Sequence, residues 1–311
     1  MTLPQPGEPF VLVISTGGTI ASTTDSSGTR VPTLSAEELV TDCAASVPTR
    51  VYDSVLLDSS SMGLGDVDTL VELVSRALAD ALITGIVITH GTDSMAETAL
   101  ALDLVQRDPR PVILTGAQRP ADHPTADGPA NLRRAIELAA DPLARGRGVT
   151  VHFGGDTLAA RGLYKRDTEA LNAFALTAPL TLPRPAAVAA APLAGYNVPI
   201  LRAWPGAGTE LVDFVIDSGA DGIVVEALGS GNVSAEMGFA LGRAVEADIP
   251  VVMSTSVPSG EVSLSYGGGG GGATLAQRGV LSAGWLRAGQ ARIALLTAIA
   301  TGTDPRQLLG G

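Results

Sequence analysis

Four side chains that could together attack a carbonyl group follow predicted strands of this chain. Thr19, Thr92, Asp93 and Lys165 supply two hydroxyls, a carboxylate and an amine. Attack by a threonine hydroxyl needs a base, a charged group that assists it, and N–H donors that stabilise the oxyanion. The loops that carry these residues could supply all three, because N–H groups at a helix start can receive a developing negative charge. The set predicts acyl-transfer chemistry on a threonine.

Each of these residues also has a purely structural interpretation. Thr92 and Asp93 lie where a helix is predicted to begin, and such residues commonly cap helices. Lysine is usually an exposed surface residue, and the glycines of Thr16–Ser22 could form an ordinary turn. In a shared cleft, however, Lys165 could act as a base for a hydroxyl, and Asp93 could bind the ammonium group of an amino acid.

Other catalytic chemistries find little support in the sequence. The three histidines are His90, His123 and His152, and there is no G-x-S-x-G serine motif. No two histidines have the spacing of metal ligands, and the single cysteine, Cys43, excludes an internal disulfide and a cysteine-based zinc site. We therefore expect no metal and no cofactor. We interpret His90, at the end of a buried strand, as a core residue.

Short aliphatic runs alternate with helical periodicity, which predicts βαβ units and a largely parallel sheet. Ligands of such sheets bind beyond the carboxyl ends of the strands, so the loops that carry the four side chains should meet at one edge. In the first half of the chain the predicted strands are Phe10–Ser15, Gly85–Thr89, Val112–Thr115 and Gly148–Phe153, and the predicted helices are Ala36–Ala45, Val67–Asp80, Glu97–Gln106 and Asn131–Ala140.

The composition changes at Pro179, where prolines and alanines replace the periodic pattern. We predict an α/β protein with a larger N-terminal parallel-sheet domain (1–183) that carries the catalytic loops, a linker (184–197) and a smaller C-terminal α/β domain (198–311). A terminal helix, Gln290–Thr301, closes the second domain. The six glycines of Gly267–Gly272 are expected to form a mobile loop, because glycine loses much backbone entropy in a regular element.

The charge balance restricts the partners of this protein. With 32 acidic and 20 basic residues, the formal net charge is −12. A nucleic acid or an anionic membrane surface would be repelled. There is no apolar stretch of ~18 residues and no basic segment at the start of the chain. We expect a cytoplasmic protein that binds neither nucleic acid nor a membrane.

Two segments of the chain resemble the signatures of the bacterial-type L-asparaginases, a family of threonine amidohydrolases. They are Thr16–Ala21 (TGGTIA) and Thr89–Thr98 (THGTDSMAET). The GAQRP and DGPAN segments resemble the same family, and the similarity continues into the second half of the chain. Two long signatures in the right order make the resemblance specific.

The resemblance implies that the protein hydrolyses L-asparagine to L-aspartate and ammonia through an acyl-enzyme. Thr19 would be the nucleophile, and Thr92, Asp93 and Lys165 would form a second group that assists proton transfer. The family also implies a homotetramer, built as a dimer of dimers.

The resemblance also implies which residues hold the substrate. Ser59 would hold the α-carboxylate, Asp93 would bind the α-amino group, and the Ala117 backbone would meet the amide. The remaining residues expected to contact the substrate are Gly18, Ser60, Gly91 and Thr92.

The chain departs from the family at four positions around the expected site. It has no tyrosine near Thr29, in the segment that forms the lid of family members. Ser60 replaces a common glutamine, and Ser230 stands where a subset of the family has asparagine. Beyond Gly260 there is no match to the glutamate that a secreted subset sends across the subunit interface. These departures concern substrate affinity and tolerance of glutamine, not the amidohydrolase chemistry.

Two other functions stay open. The first is an amidase of the same family that prefers glutamine or another amide, including the glutamyl-tRNA amidotransferase subunit. That subunit normally carries an extra N-terminal domain, for which a strand beginning at Phe10 leaves no room, and the acidic charge disfavours tRNA. The second is a non-catalytic binding protein for a small amino acid. Such a binder has no need for Thr19 beside the Thr92, Asp93 and Lys165 set.

Overall fold

The structure is a computed structural model that describes residues 3–54, 58–179 and 181–310. The chain divides into two compact units, Met1–Ala175 and Leu176–Gly311. Both combine a parallel sheet with helices, which confirms the predicted α/β class with a larger N-terminal and a smaller C-terminal domain. Residues 184–197 form no helix or strand. The boundaries at 183/184 and 197/198 stay a prediction.

The N-terminal unit is built on a six-stranded sheet in the order β4-β1-β5-β6-β7-β8. All neighbouring strands are parallel except β7 and β8. Strands β2 and β3 form a separate antiparallel hairpin, and β9 pairs with β10. The bounds are β1 Phe10–Ser15, β2 Ser22–Thr24, β3 Arg30–Pro32, β4 Thr49–Asp53, β5 Ile83–Thr89, β6 Val112–Thr115, β7 Val149–Phe153, β8 Asp156–Ala159, β9 Leu163–Lys165 and β10 Phe174–Leu176.

Helices cover this sheet and bury its central strands on both faces. Every residue of β6 and β7 is buried, as expected for parallel strands between helical layers. On one face, Leu39 of α1 and Ile136 of α4 pack against Val87 and Ile113 of the sheet. The helices are α1 Ala36–Cys43, α2 Leu64–Ala77, α3 Met95–Val105 and α4 Gly128–Ala140, with short 3-10 turns at Thr19–Ala21 and Pro142–Ala144.

The C-terminal unit has a four-stranded parallel sheet in the order β11-β12-β13-β14. Val225 and Met253 of the sheet pack against Val212 and Leu241 of its helices. The strands are β11 Ile200–Arg202, β12 Ile223–Ala227, β13 Val251–Thr255 and β14 Leu281–Ser282, and the helices are α5 Glu210–Asp217, α6 Ala235–Glu246, α7 Gly272–Gln277, α8 Ala288–Thr301 and α9 Pro305–Leu309.

Two features of the C-terminal unit differ from the sequence expectation. The short helix α9 follows α8, so Gln290–Thr301 is not the last helix. The glycine run is wrong as an irregular loop at its end, because Gly272 begins α7. Gly270 and Gly271 are buried, and a Cβ on Gly270 would lie 2.1 Å from the carbonyl oxygen of Val233. These glycines permit close backbone packing rather than looseness.

Candidate active site

The loop after β1 is shaped by two glycines in the left-handed region. Gly17 has φ of 94° and Gly18 has φ of 82°, conformations that residues with a Cβ rarely adopt. The Thr16 hydroxyl donates to the Thr89 carbonyl at 2.9 Å, and the Ser22 hydroxyl donates to the Gly18 carbonyl at the same distance. Between these anchors the chain makes a single 3-10 turn that begins at Thr19. The turn therefore presents a half-buried Thr19 at a defined place.

This turn packs directly on the loop that follows β5. A Cβ on Gly18 would lie 2.5 Å from the amide nitrogen of Gly91, so only glycine permits the approach. Thr19 and Thr92 each lie one residue beyond this contact. The two predicted catalytic threonines are consequently held at the same edge of the sheet.

Lys165, at the end of β9, joins the loop after β5 through two hydrogen bonds. Its Nζ donates to the Thr92 hydroxyl at 2.7 Å and to the Asp93 carboxylate at 3.0 Å. Thr92 is buried, whereas the Asp93 side chain is 61% exposed and that of Lys165 is 24% exposed. Three of the predicted catalytic residues thus form one connected group at the edge of the sheet.

Lys165 is also the only lysine in the chain, which otherwise carries arginine at its basic positions. Arginine stays protonated in proteins, whereas a lysine ammonium can lose its proton. A single lysine whose amine contacts a threonine hydroxyl indicates a position that needs this property. The count was visible in the sequence, although the contact was not.

The predicted carboxylate-holding residue, Ser59, contacts the same loop. Its hydroxyl accepts the Asp93 N–H at 3.1 Å, and its carbonyl accepts the Ser94 hydroxyl at 2.8 Å. Gly91 packs so closely on Ser59 that a Cβ would lie 2.4 Å from the serine Oγ. Ser59 is buried and its neighbour Ser60 is exposed, and both lie just after the undescribed residues 55–57.

The loop after β6 adds a third wall to this region. A Cβ on Gly116 would lie 2.4 Å from the His90 carbonyl, and Ala117 meets Ile20 across Gly128. Ala117 is buried between the loops that carry Thr19 and Thr92.

His90 lies in the core, as the sequence interpretation proposed. It is 1% exposed, and its Nδ1 lies 2.7 Å from the Gly91 carbonyl. Burial lowers the pKa of His90, because a charged imidazolium would lose its hydration. The neutral ring supports the backbone below the site. In the described part of the chain no cluster of three or more His, Cys, Asp or Glu side chains could hold a metal ion.

An open cleft of about 480 Å³ lies beside Lys165. Two carboxylates and two cations line it together with Thr168, so the cleft is balanced in charge and suits a zwitterion such as a free amino acid. The charged lining residues are Asp93, Asp167, Lys165 and Arg166.

Three polar residues that had no role in the sequence analysis hold the walls of the site. Gln118 donates its side-chain amide to the Thr168 and Ala170 carbonyls, at 3.1 and 3.2 Å, and so ties the loop after β6 to the loop after Lys165. Asp127 and Asn131, at the start of α4, bind the backbone of the loop after β6. Their signal in the sequence was only an Asp-Gly-Pro at a helix start, which indicates capping.

Comparison with known families gives matches over most of the chain. Residues 10–184 match the family described as "Asparaginase, N-terminal", and residues 197–309 match "Glutaminase/Asparaginase C-terminal domain". No helix in the described ranges is long and apolar enough to cross a membrane.

Three named proteins illustrate what the chain is similar to. A probable L-asparaginase of Deinococcus radiodurans is 37% identical over 70% of this chain and 72% of its own length. A glutamyl-tRNA(Gln) amidotransferase polypeptide of Aeropyrum pernix is 33% identical over 84% of this chain and 68% of its own length. The crystal structure of a probable cytoplasmic L-asparaginase from Campylobacter jejuni superposes with a TM-score of 0.84, at 27% identity, covering 97% of this chain and 98% of that one.

Proposed function

Since this chain belongs to the asparaginase family and is an enzyme that hydrolyses amides, we propose that its substrate is L-asparagine and that it forms an acyl-enzyme on Thr19. The products are L-aspartate and ammonia. The observation that carries the proposal is the hydrogen bond from Lys165 Nζ to the Thr92 hydroxyl at 2.7 Å, with Asp93 at 3.0 Å from the same nitrogen. A lysine that contacts a hydroxyl beside a second, half-buried threonine has the parts of an activated nucleophile.

In the first half of the reaction, Thr19 Oγ forms a bond to the side-chain amide carbon of asparagine. The Thr19 proton passes to a base, and the carbon–nitrogen bond breaks as the leaving nitrogen is protonated and departs as ammonia. The N–H groups of Gly91 and Thr92 donate to no described residue and can stabilise the oxyanion. The intermediate is a β-aspartyl ester of Thr19.

In the second half, water attacks this ester. The ester carbon–oxygen bond breaks, L-aspartate leaves, and the Thr19 hydroxyl is restored with a proton. We assign proton transfer to Thr92, Asp93 and Lys165, because the three are already linked by hydrogen bonds. Unprotonated Lys165 accepts a proton through the Thr92 hydroxyl, and Asp93 stabilises the ammonium that results.

The substrate roles are proposed on the same contacts. Ser59 lies against Gly91 and the Asp93 amide, so its hydroxyl can meet an α-carboxylate while the Asp93 carboxylate meets the α-ammonium. The remaining proposed contacts come from exposed Ser60 and from the backbones of Gly18, Gly91, Thr92 and Ala117.

We also propose a cytoplasmic homotetramer. Its location is supported by the likeness to the C. jejuni protein, whose name includes that compartment. Sedimentation velocity of the purified protein tests the assembly: a species of four subunits is expected, and a stable monomer at micromolar concentration would contradict it.

The amidotransferase relative keeps a second function in view, an amidase with another acyl group. The two substrate classes differ in what must fit beside Thr19. Glutamine is longer than asparagine by one methylene, a difference worth about 1–3 kcal/mol in a fitted pocket.

The test is ammonia release from L-asparagine and from L-glutamine by the purified protein. We expect kcat/KM for asparagine to exceed that for glutamine by roughly ten-fold or more. Rapid acid quench during turnover, followed by peptide mass spectrometry, should find one β-aspartyl group on the peptide that contains Thr19.

Each result has a distinct meaning. A preference for glutamine would assign the enzyme to the other amidase function. If the folded protein released ammonia from neither amide, asparagine hydrolysis would be refuted. An aspartyl group on a peptide without Thr19 would overturn the assignment of the nucleophile.

A further inference from the structure

Asp127 occupies the N-cap position of α4 but does not cap the helix. Aspartate at this position normally accepts an N–H of the first turn, a contact worth about 1 kcal/mol. Here its side chain accepts no hydrogen bond from the helix backbone. Both carboxylate oxygens are directed instead to the loop after β6. Oδ2 accepts the Gln118 N–H at 3.0 Å, and Oδ1 accepts the Arg119 N–H at 2.9 Å.

Asn131, one turn later on the same helix, completes this attachment. Its Nδ2 donates to the Gly116 carbonyl at 3.0 Å and to Asp127 Oδ2 at 3.3 Å, and its Oδ1 accepts the Gly154 N–H at 3.1 Å. The residue is 4% exposed. Together, Asp127 and Asn131 fix three consecutive peptide groups, those between residues 116 and 119.

The middle peptide group determines where the Ala117 carbonyl points. In a trans peptide the C=O and the N–H of the next residue point in opposite directions. Since the Gln118 N–H points to Asp127, the Ala117 oxygen points away from it. Ala117 is buried against the loops of Ile20 and His90, yet its oxygen accepts no hydrogen bond from residues 3–54, 58–179 or 181–310. Buried carbonyls are rarely left unpaired, which indicates an acceptor kept for a bound group.

We propose that Asp127 is a positioning residue that holds the Ala117 carbonyl toward the substrate amide, where it accepts an N–H of the nitrogen that leaves as ammonia. The inference rests on the proposed function, because it requires an amide substrate attacked by Thr19. A buried –NH2 group needs acceptors for its donors, and the Ala117 oxygen is a free one beside the nucleophile turn.

The test variant is Asp127→Asn. Asparagine has one acceptor oxygen and one –NH2 group, so an N–H of Gln118 or Arg119 loses its partner and faces another donor. The matched control is Asp141→Asn, at the other end of α4, where the carboxylate accepts the Leu143 N–H at 2.9 Å away from the site. Thermal unfolding and amide hydrogen exchange of Gln118 and Arg119 should be measured on all three proteins.

The decisive comparison uses two substrates that form the same acyl-enzyme. L-Asparagine brings an N–H to the Ala117 carbonyl, whereas L-aspartate β-methyl ester has a leaving group without one. We expect Asp127→Asn to lower kcat/KM for the amide by on the order of 10²-fold, comparable to the loss of one aligned hydrogen-bonding group, and that for the ester by less than about five-fold. Asp141→Asn should change neither by more than about two-fold.

The outcomes separate the two hypotheses. Equal losses on amide and ester, or no loss on either, would overturn the role of Asp127 while asparagine hydrolysis stands. A wild-type protein that hydrolyses neither substrate would instead refute the proposed function. If Asp127→Asn is too unstable to assay, the exchange rates of the Gln118 and Arg119 amides in the wild type decide: rates as fast as in exposed loops would refute the positioning contact.

Discussion

Replacing Thr19 by alanine is expected to lower kcat for L-asparagine by on the order of 10⁴-fold or more. The variant loses the oxygen that forms the acyl-enzyme, and the remaining site can only bind substrate and stabilise charge. Its fold should be unchanged, since Thr19 is half-buried and the turn is held by the hydroxyls of Thr16 and Ser22. Ammonia release at saturating substrate measures the loss.

Two further threonine variants control this experiment. Thr19→Ser keeps a hydroxyl and should retain measurable activity and the acyl-enzyme in quenched samples. Thr41→Ala removes a hydroxyl that only bonds the Glu37 carbonyl on α1, and should behave like the wild type. If Thr19→Ala kept more than about one-tenth of kcat, Thr19 could not be the nucleophile.

Replacing Lys165 by arginine or by methionine is expected to lower kcat by about 10²- to 10⁴-fold, and by a similar factor in both variants. Arginine keeps the positive charge beside Asp93 but cannot give up its proton, whereas methionine keeps only the aliphatic stem. Similar losses would mean that the amine acts in proton transfer. Activity close to wild type in Lys165→Arg would instead show that charge alone suffices, and would contradict the assignment.

The surroundings of Lys165 provide a control and a direct readout. Arg134→Met removes an exposed ion pair with Glu137 on α4, and surface pairs contribute about 1 kcal/mol or less, so its activity and stability should be nearly unchanged. Because the chain has no other lysine, amine-directed modification followed by peptide mass spectrometry reports on this side chain alone. Substrate should protect Lys165 from modification if it binds in the adjacent site.

Strand and helix positions could be predicted where the pattern of burial is local. The runs Phe10–Ser15 and Val112–Thr115 match β1 and β6 residue for residue, because a buried strand needs only consecutive aliphatic side chains. Helix α2 begins at Leu64 rather than at the predicted Val67, since Asp66 accepts the Gly63 N–H and closes a polar first turn. Hydrophobic periodicity does not report such turns.

The parallel order of strands also placed the candidate catalytic residues at one edge of the sheet before any contact was known. The sequence by itself thus determined the fold class, and its two signatures determined the family. It could not determine which side chains touch. Thr92 and Lys165 are 73 residues apart, and their hydrogen bond depends on how β9 returns to the edge of the sheet.

Asp127 shows the limit most clearly. Its position before Gly-Pro indicates an ordinary helix cap, and only the packing of α4 against the loop after β6 turns its carboxylate toward Gln118 and Arg119. The buried part of the glycine run has the same cause, since Gly270 is required by the neighbouring Val233 carbonyl and not by its own segment. Local patterns record the burial of one segment, whereas contacts between loops depend on side-chain directions that are fixed only when distant segments pack.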